Sequence, residues 1–63
     1  MNNQVYGVFA RDNDYYAQME LHKLFFDEKD AEVYAQVLRE MKDEYAPDEL
    51  MYPEVDVCEL RVN

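Results

Sequence analysis

Apolar and polar residues follow one another along the chain in patterns that predict three strands and one helix. The first apolar segment is QVYGVFA, residues 4–10, which is apolar on both of its faces. Such a segment is typical of a central strand that is covered on more than one side. The segment AQMELHKLFF, residues 17–26, begins by alternating, with Met19 and Leu21 on one face. The Asp- and Asn-rich residues between the two segments predict a hairpin whose loop has about six residues.

One helix is predicted between residues 27 and 45, where apolar residues recur at helical spacing. The apolar stripe consists of Ala31, Tyr34, Ala35, Leu38, Met41 and Tyr45. Asp27 is placed to act as the N-cap, because its carboxylate can accept hydrogen bonds from the first turn. Phe26 is expected to pack on Ala31 as a hydrophobic staple. Pro47 discourages the helix from continuing.

The segment VDVCELRV, residues 55–62, predicts a third strand, but its apolar positions change phase. Val55 and Val57 share one face, whereas Cys58, Leu60 and Val62 share the other. Two explanations are open: both faces of this strand are partly covered, or a bulge resets its register.

The order of elements predicts a single α+β domain, residues 1–63, with a β-β-α-β fold. The helix must lie on one face of the sheet to bury its stripe, and it returns the chain to a third strand parallel to the second. Placing the third strand beside the first gives a three-stranded antiparallel or mixed sheet in the order 2-1-3. The face opposite the helix is then polar, wet or occupied by a partner.

Acidic residues outnumber basic residues throughout the chain. Fifteen Asp and Glu against six Lys and Arg give a formal net charge of -9 and a pI near 4.2. This charge repels phosphate groups, so we expect no direct contact with nucleic acid or with an anionic membrane. The chain has a single cysteine, Cys58, and no apolar run of about 20 residues. These features favour a cytoplasmic protein of the producing or infected cell.

The residues that carry chemistry are few, so neither enzymatic activity nor a cofactor or metal is expected. Ser and Thr are absent, which leaves Cys58 as the one nucleophile of its class, and a pair with His22 across the sheet is the arrangement to consider. Asp12 and Asp14 begin like a calcium loop, but the glycine and the distal glutamate of such a loop do not follow.

The acidic surface is the first candidate for partner binding. Its members are Glu28, Glu32, Glu40, Asp43, Glu44, Asp48 and Glu49. One interpretation is that these carboxylates only keep the protein in solution. The other is that carboxylates on a small rigid scaffold imitate phosphates and occupy the basic channel of a nucleic-acid-handling protein.

Apolar residues outside the predicted core are the second candidate. They are Val33 and Val37 on the helix, Tyr15 and Tyr16 in the hairpin loop, and Tyr52 in the second loop. Tyr is enriched at the centres of protein interfaces. In so small a domain, however, such residues also close the open edges of a core. If they form an interface, a homodimer and a heterologous partner are both compatible with it.

The whole pattern resembles the very small β-β-α-β domains of unknown function found in bacteria and phages. The resemblance is carried by the strand VYGVF, by Phe26 and Ala31 at the helix start, and by Val55, Val57, Glu59 and Leu60 in the last strand. It is a likeness of fold and carries no functional residues over. It implies a small acidic protein-binding module of the kind that inhibits host enzymes. The alternative is a structural accessory domain that works as a homo-oligomer through the sheet face that the helix leaves uncovered.

Overall fold

The computed structural model describes residues 4–61 and shows an α+β domain with the predicted ββαβ order. Its elements are β1 (Gln4–Arg11), β2 (Glu20–Phe25), α1 (Glu28–Glu40) and β3 (Glu54–Arg61). The strands form one antiparallel three-stranded sheet in the order β2-β1-β3. The predicted strand order is confirmed, and the two outer strands run parallel to each other on either side of β1.

The start of α1 is fixed by Asp27, as the sequence predicts. Its carboxylate accepts a hydrogen bond from the Lys29 N–H at 2.8 Å, and its carbonyl accepts one from the Ala31 N–H at 3.1 Å. The predicted hydrophobic staple is wrong, because Phe26 is 89% exposed while Ala31 is fully buried. The single methyl group of Ala31 is turned into the core, so it leaves little surface on which the Phe26 ring can pack.

The end of α1 lies at Glu40, short of the predicted end at Tyr45. Met41 already has extended backbone angles (φ -69°, ψ 137°), and its N–H donates to the Leu38 carbonyl at 3.2 Å. The Met41 carbonyl in turn accepts a hydrogen bond from the Met51 N–H at 2.9 Å. The returning loop thus occupies the Met41 carbonyl, which would accept the Tyr45 N–H if the helix continued for another turn. Tyr45 is consequently 91% exposed and does not extend the apolar stripe.

The core lies between α1 and one face of the sheet, which we call the covered face. Its buried members are Val8, Ala10, Ala31, Ala35, Leu38 and Val55. Tyr6, Phe25, Tyr34, Tyr52 and Val57 are half-buried and pack against them. The Cα positions span 45 × 22 × 11 Å, and the short dimension corresponds to one sheet and one helix layer. The described chain therefore has two layers.

The phase change in β3 has its explanation in the register of the sheet. Pairing of β3 with β1 is unbroken from end to end, so β3 contains no bulge. Its valines face α1, whereas Cys58 and Leu60 lie on the opposite face, beside Gly7 and Val5 of β1. The irregularity lies instead in β2, where the register with β1 shifts and His22 is the extra residue.

Candidate functional site: the open face of the sheet

The sheet face opposite α1 is not covered by any element within residues 4–61. Residues directly opposite each other on neighbouring strands point to the same side of a sheet, so the register defines this surface. We call it the open face. It is formed by Val5, Gly7, Phe9 and Arg11 of β1, Leu21 and Leu24 of β2, and Glu54, Asp56, Cys58 and Leu60 of β3.

The centre of the open face is a continuous apolar surface around Gly7. A Cβ atom at Gly7 would lie 2.9 Å from Cε1 of Phe9, and 3.1 Å from Cδ1 of both Leu21 and Leu60. Three side chains from three strands therefore meet above one glycine. The missing side chain allows the Phe9 ring to lie down on the sheet between the two leucines.

The apolar side chains of this face remain accessible to water. Leu21 is 48% exposed and Leu24 is 50% exposed, while Val5, Phe9 and Leu60 are half-buried. Single exposed leucines are common on proteins, whereas here apolar side chains from three strands meet in one patch. The open face is therefore the candidate functional site.

The charged residues of the open face lie at one end of it. Arg11 at the end of β1 and Glu54 at the start of β3 are opposite each other, and Arg11 Nε lies 3.3 Å from Glu54 Oε1. The exposed Asp56 lies across from Phe9, next to this pair. Two carboxylates and one guanidinium leave this end with one negative charge. At the other end the face is apolar, with Val5 and Leu60 paired.

Two carboxylates of the helix that the sequence singles out have contacts within α1. Glu32 lies 3.9 Å from Arg39, which also donates to the Val55 carbonyl at 3.3 Å. Glu40 accepts a hydrogen bond from the Gln36 amide at 3.3 Å. These contacts lie at the surface, where ion pairs contribute about 1 kcal/mol or less. Glu28, in the first turn, is also exposed.

Two carboxylates of the loops have structural partners. Asp43 is half-buried, and its Oδ1 accepts hydrogen bonds from the N–H groups of Tyr45 at 2.8 Å and of Ala46 at 3.1 Å. This is a turn-forming role, and it leaves Asp43 less exposed than the other predicted members of the acidic surface. Glu49 accepts a hydrogen bond from Asn13 Nδ2 at 3.0 Å, which links the two long loops. Glu44 and Asp48 are exposed in the second loop.

The predicted apolar contact residues lie outside the open face. Val33 and Val37 are 59% and 54% exposed on the outer side of α1. Tyr15 and Tyr16 are 91% and 85% exposed in the β1–β2 loop, with their rings edge to face at 5.0 Å. Tyr52 differs from these four because it is half-buried against the core, so it is a core-closing residue rather than an exposed contact.

The contact between the His22 and Tyr52 rings shows that His22 lies on the covered side of the sheet. The two rings meet edge to face at a centroid distance of 4.9 Å. Burial raises the pKa of the Tyr52 hydroxyl above its ordinary value, and the nearby Asp12 carboxylate adds to that rise. Cys58 lies on the open face. The structure thus separates His22 from Cys58, and the pair considered from the sequence is not formed.

The apolar residues of the open face were missed as contact residues by sequence reasoning. Val5 and Phe9 lie in a segment that is typical of a central strand covered on more than one side. Because one helix covers only one face of such a strand, the sequence predicts a second face that is polar, wet or occupied by a partner, but it does not assign residues to it. The change of phase at Cys58 and Leu60 carries the same information for β3.

Comparisons with protein-family models, with curated proteins and with solved structures find no match to this chain. Among the residues that the structure describes, no helix has the length and apolar character needed to cross a membrane.

Proposed function

We propose that this protein is a protein-binding module and that it contacts its partner through the open face. The observation that carries the proposal is the contiguous apolar surface around Gly7, with Leu21 and Leu24 about half exposed. Covering such a surface releases water from apolar groups and is favourable by roughly 25 cal/mol per Å².

The shape of the open face favours a protein over a small molecule as its partner. Sites for small molecules are concave and surround most of the ligand. One face of a three-stranded sheet is shallow, and the described chain has no second layer on that side. A broad surface of this kind fits another broad surface, and its central Phe9 and Leu60 suit the apolar centre of a protein interface.

The proposal is tested with two variants that carry the same change of charge at similar exposure. Leu24→Lys places a charge on the open face, and Val33→Lys places the same charge on the outer side of α1; the original residues are 50% and 59% exposed. Tagged wild-type protein and both variants are used to capture partners from lysate at about 0.1 M salt, with mass spectrometry of the eluate. Thermal unfolding of each variant checks that it is folded.

We expect Val33→Lys to retain the wild-type partner and Leu24→Lys to lose it. Retention by both variants would place the interface away from the open face. Loss by Val33→Lys alone would assign the interface to the outer side of α1, where the sequence placed Val33 and Val37.

A second candidate function is mimicry of a nucleic acid by the acidic surface, which would make the protein an inhibitor of a nucleic-acid-handling enzyme. The net charge of -9 favours it, and so does the exposure of Glu32, whose side chain is 53% accessible. This function predicts capture at about 0.1 M salt and loss at about 0.5 M. It also predicts weaker capture by Glu32→Gln with Glu40→Gln, whereas binding through the open face predicts little change with that pair.

A further inference from the structure

We infer that the outer edge of β3 pairs with the same edge of a second copy of this chain, in an antiparallel register centred on Val57. This pairing extends the sheet from three strands to six and places the two open faces side by side. It goes beyond the proposed function and does not depend on it. The inference follows from the unpaired backbone of β3, from the registers that a two-fold axis allows and from the charges that each register brings together.

β3 is the longer and more regular of the two edge strands. Its eight residues pair with β1 without a bulge and include no proline. In an antiparallel pair every second residue directs its N–H and C=O away from the neighbouring strand, so the outer side of β3 presents a row of such groups. No strand within residues 4–61 pairs with that side. The other edge, β2, has six residues and is interrupted by the bulge at His22, and a bulge is a common protection of an edge.

A second copy can meet this edge through a two-fold axis perpendicular to the sheet. Such an axis keeps both open faces on one side, so the residues that lie opposite each other must face the same way. Two registers of this kind pair seven residues of each strand. One pairs residues 54–60 about Val57, and the other pairs residues 55–61 about Cys58. All other such registers pair five residues of β3 or fewer.

The position of Arg39 selects the register centred on Val57. Arg39 extends from α1 to the Val55 carbonyl, with a donor–acceptor distance of 3.3 Å. In this register Val55 lies opposite Glu59 of the second copy. The Glu59 side chain is on the helix side of the sheet, because Glu59 pairs with Tyr6, which packs on the core. The two-fold axis therefore brings Arg39 of one copy beside Glu59 of the other at two places.

The register centred on Cys58 lacks this complementarity. It brings Arg61 of the second copy to the position beside Arg39, where like charges repel. The selected register has one unfavourable feature on the open face, where the two Asp56 side chains become diagonal neighbours about 7 Å apart. It thus predicts opposite roles for two carboxylates of one strand: Glu59 attracts the second copy, and Asp56 repels it.

The helices leave room for this pairing. α1 lies over β1 and β3. With strands about 4.8 Å apart, the two α1 helices lie about 10 Å from each other, which is an ordinary distance for packed helices. Seven paired residues form a seam about 23 Å long, which makes the interface smaller than the roughly 800 Å² per partner of a standard one. We therefore expect a weak dimer.

The experiment measures the Kd of dimerisation by sedimentation equilibrium of the full chain, from about 0.01 to 1 mM protein at about 0.15 M salt. The variants are Glu59→Gln and Asp56→Asn on β3 and, as a control on the other edge strand, Glu20→Gln. All three residues are exposed, and each variant removes one negative charge. A general relief of repulsion between two acidic chains therefore acts alike in all three. Circular dichroism checks that each variant is folded.

We expect Glu59→Gln to weaken dimerisation about two- to tenfold, because each dimer loses two exposed ion pairs. Asp56→Asn should strengthen it about twofold, because the repulsion between diagonal neighbours is removed. Glu20→Gln should change the Kd less than either of these. Leu24→Lys should leave the Kd unchanged, since Leu24 belongs to β2.

Disulfide formation measures the register directly. In the register centred on Val57, Cys58 of one copy lies opposite position 56 of the other. Wild type is mixed with the double variant Asp56→Cys and Cys58→Ala and oxidised with oxidised glutathione. The mixed disulfide should form faster than a disulfide between two wild-type chains, since directly opposite residues are closer than diagonal ones.

Three results would overturn the inference. A chain that stays monomeric at about 1 mM would leave the edge of β3 to a strand of another protein. Changes of the same sign in Glu59→Gln and Asp56→Asn would show that only net charge matters. Faster formation of the wild-type disulfide would assign the register centred on Cys58. None of these results affects the proposed function, which fails instead if Leu24→Lys still captures the lysate partner.

Discussion

The two faces of the sheet are built from the same strands, but α1 covers only one of them. On the covered face Val8, Ala10 and Val55 are buried, and Tyr6 and Phe25 are half-buried beside them. On the open face the corresponding positions hold Phe9, Leu21, Leu24 and Leu60. Large apolar groups thus lie on both faces, and on the open face Leu21 and Leu24 are left about half exposed.

This distribution separates folding from binding in one small domain. Small side chains let α1 approach the sheet closely, so that contacts of Val8 with Ala31 and Ala35 close the core. Covering the leucines of the open face as well would be favourable by about 25 cal/mol per Å². Their presence on the open face is explained when that face is buried by a partner.

The largest effect is expected from truncation on the covered face. Leu38 is 5% exposed, and Leu38→Ala should lower the free energy of unfolding by about 2–5 kcal/mol through lost contacts and a cavity. A domain of this size has only a few kcal/mol to lose, so much of the variant should be unfolded at room temperature. Circular dichroism during thermal unfolding measures the change.

Leu24→Ala is the matched control on the open face. Leu24 is 50% exposed, so the same truncation should cost about 1 kcal/mol or less. Equal losses of stability in Leu38→Ala and Leu24→Ala would abolish the distinction between the two faces, because the open face would then be part of the folding core.

Local patterns in the sequence predicted much of the covered face, and the single helix predicted that the other face is uncovered, but the residues of the open face were not identified. The N-cap at Asp27 and the burial of Leu38 follow from capping chemistry and helical period, which act within a few residues. The end of α1 at Glu40 depends on the hydrogen bond between Met41 and Met51, a contact that no local pattern reports.

The candidate site was harder to predict because it depends on register. Which residues of β1 face α1 is decided by pairing with strands that are distant in the chain, and the bulge at His22 changes the register along β2. A strand that is apolar on both faces looks the same whether its second face is covered by the chain or by a partner. The pattern alone therefore does not assign Phe9 to either face.

A smaller effect on the free energy of unfolding is expected from removing the N-cap of α1, the helix that covers the sheet. Asp27→Ala removes the acceptor of the Lys29 N–H and should reduce the free energy of unfolding by about 1 kcal/mol. Asp27→Asn keeps an oxygen at that position and should cost little. Denaturant unfolding of the two variants measures the difference. Neither variant should change the rate at which a thiol-reactive dye labels Cys58, which is exposed on the open face. Faster labelling in Asp27→Ala would show that the two faces are coupled.

The smallest expected effect is the change of stability with pH that is due to Tyr52, at the border of the covered face. Because burial and Asp12 raise the pKa of Tyr52, the folded protein holds this proton more tightly than the unfolded chain. The stability that this raised pKa contributes is therefore fully present below the ordinary pKa of 10.0. It is lost as the pH rises through the pKa of Tyr52 in the folded protein.

Tyrosinate absorbance of wild type minus that of Tyr52→Phe should therefore contain one component that titrates above pH 10. Tyr6, whose pKa is also raised, is present in both proteins and cancels in the difference. The denaturation midpoint should fall more steeply above pH 10 in wild type than in Tyr52→Phe. A difference spectrum with its midpoint at the ordinary value would mean that water reaches Tyr52 freely. The covered face would then extend only as far as Val55, whose carbonyl accepts a hydrogen bond from Arg39. Tyr52 would be a surface residue.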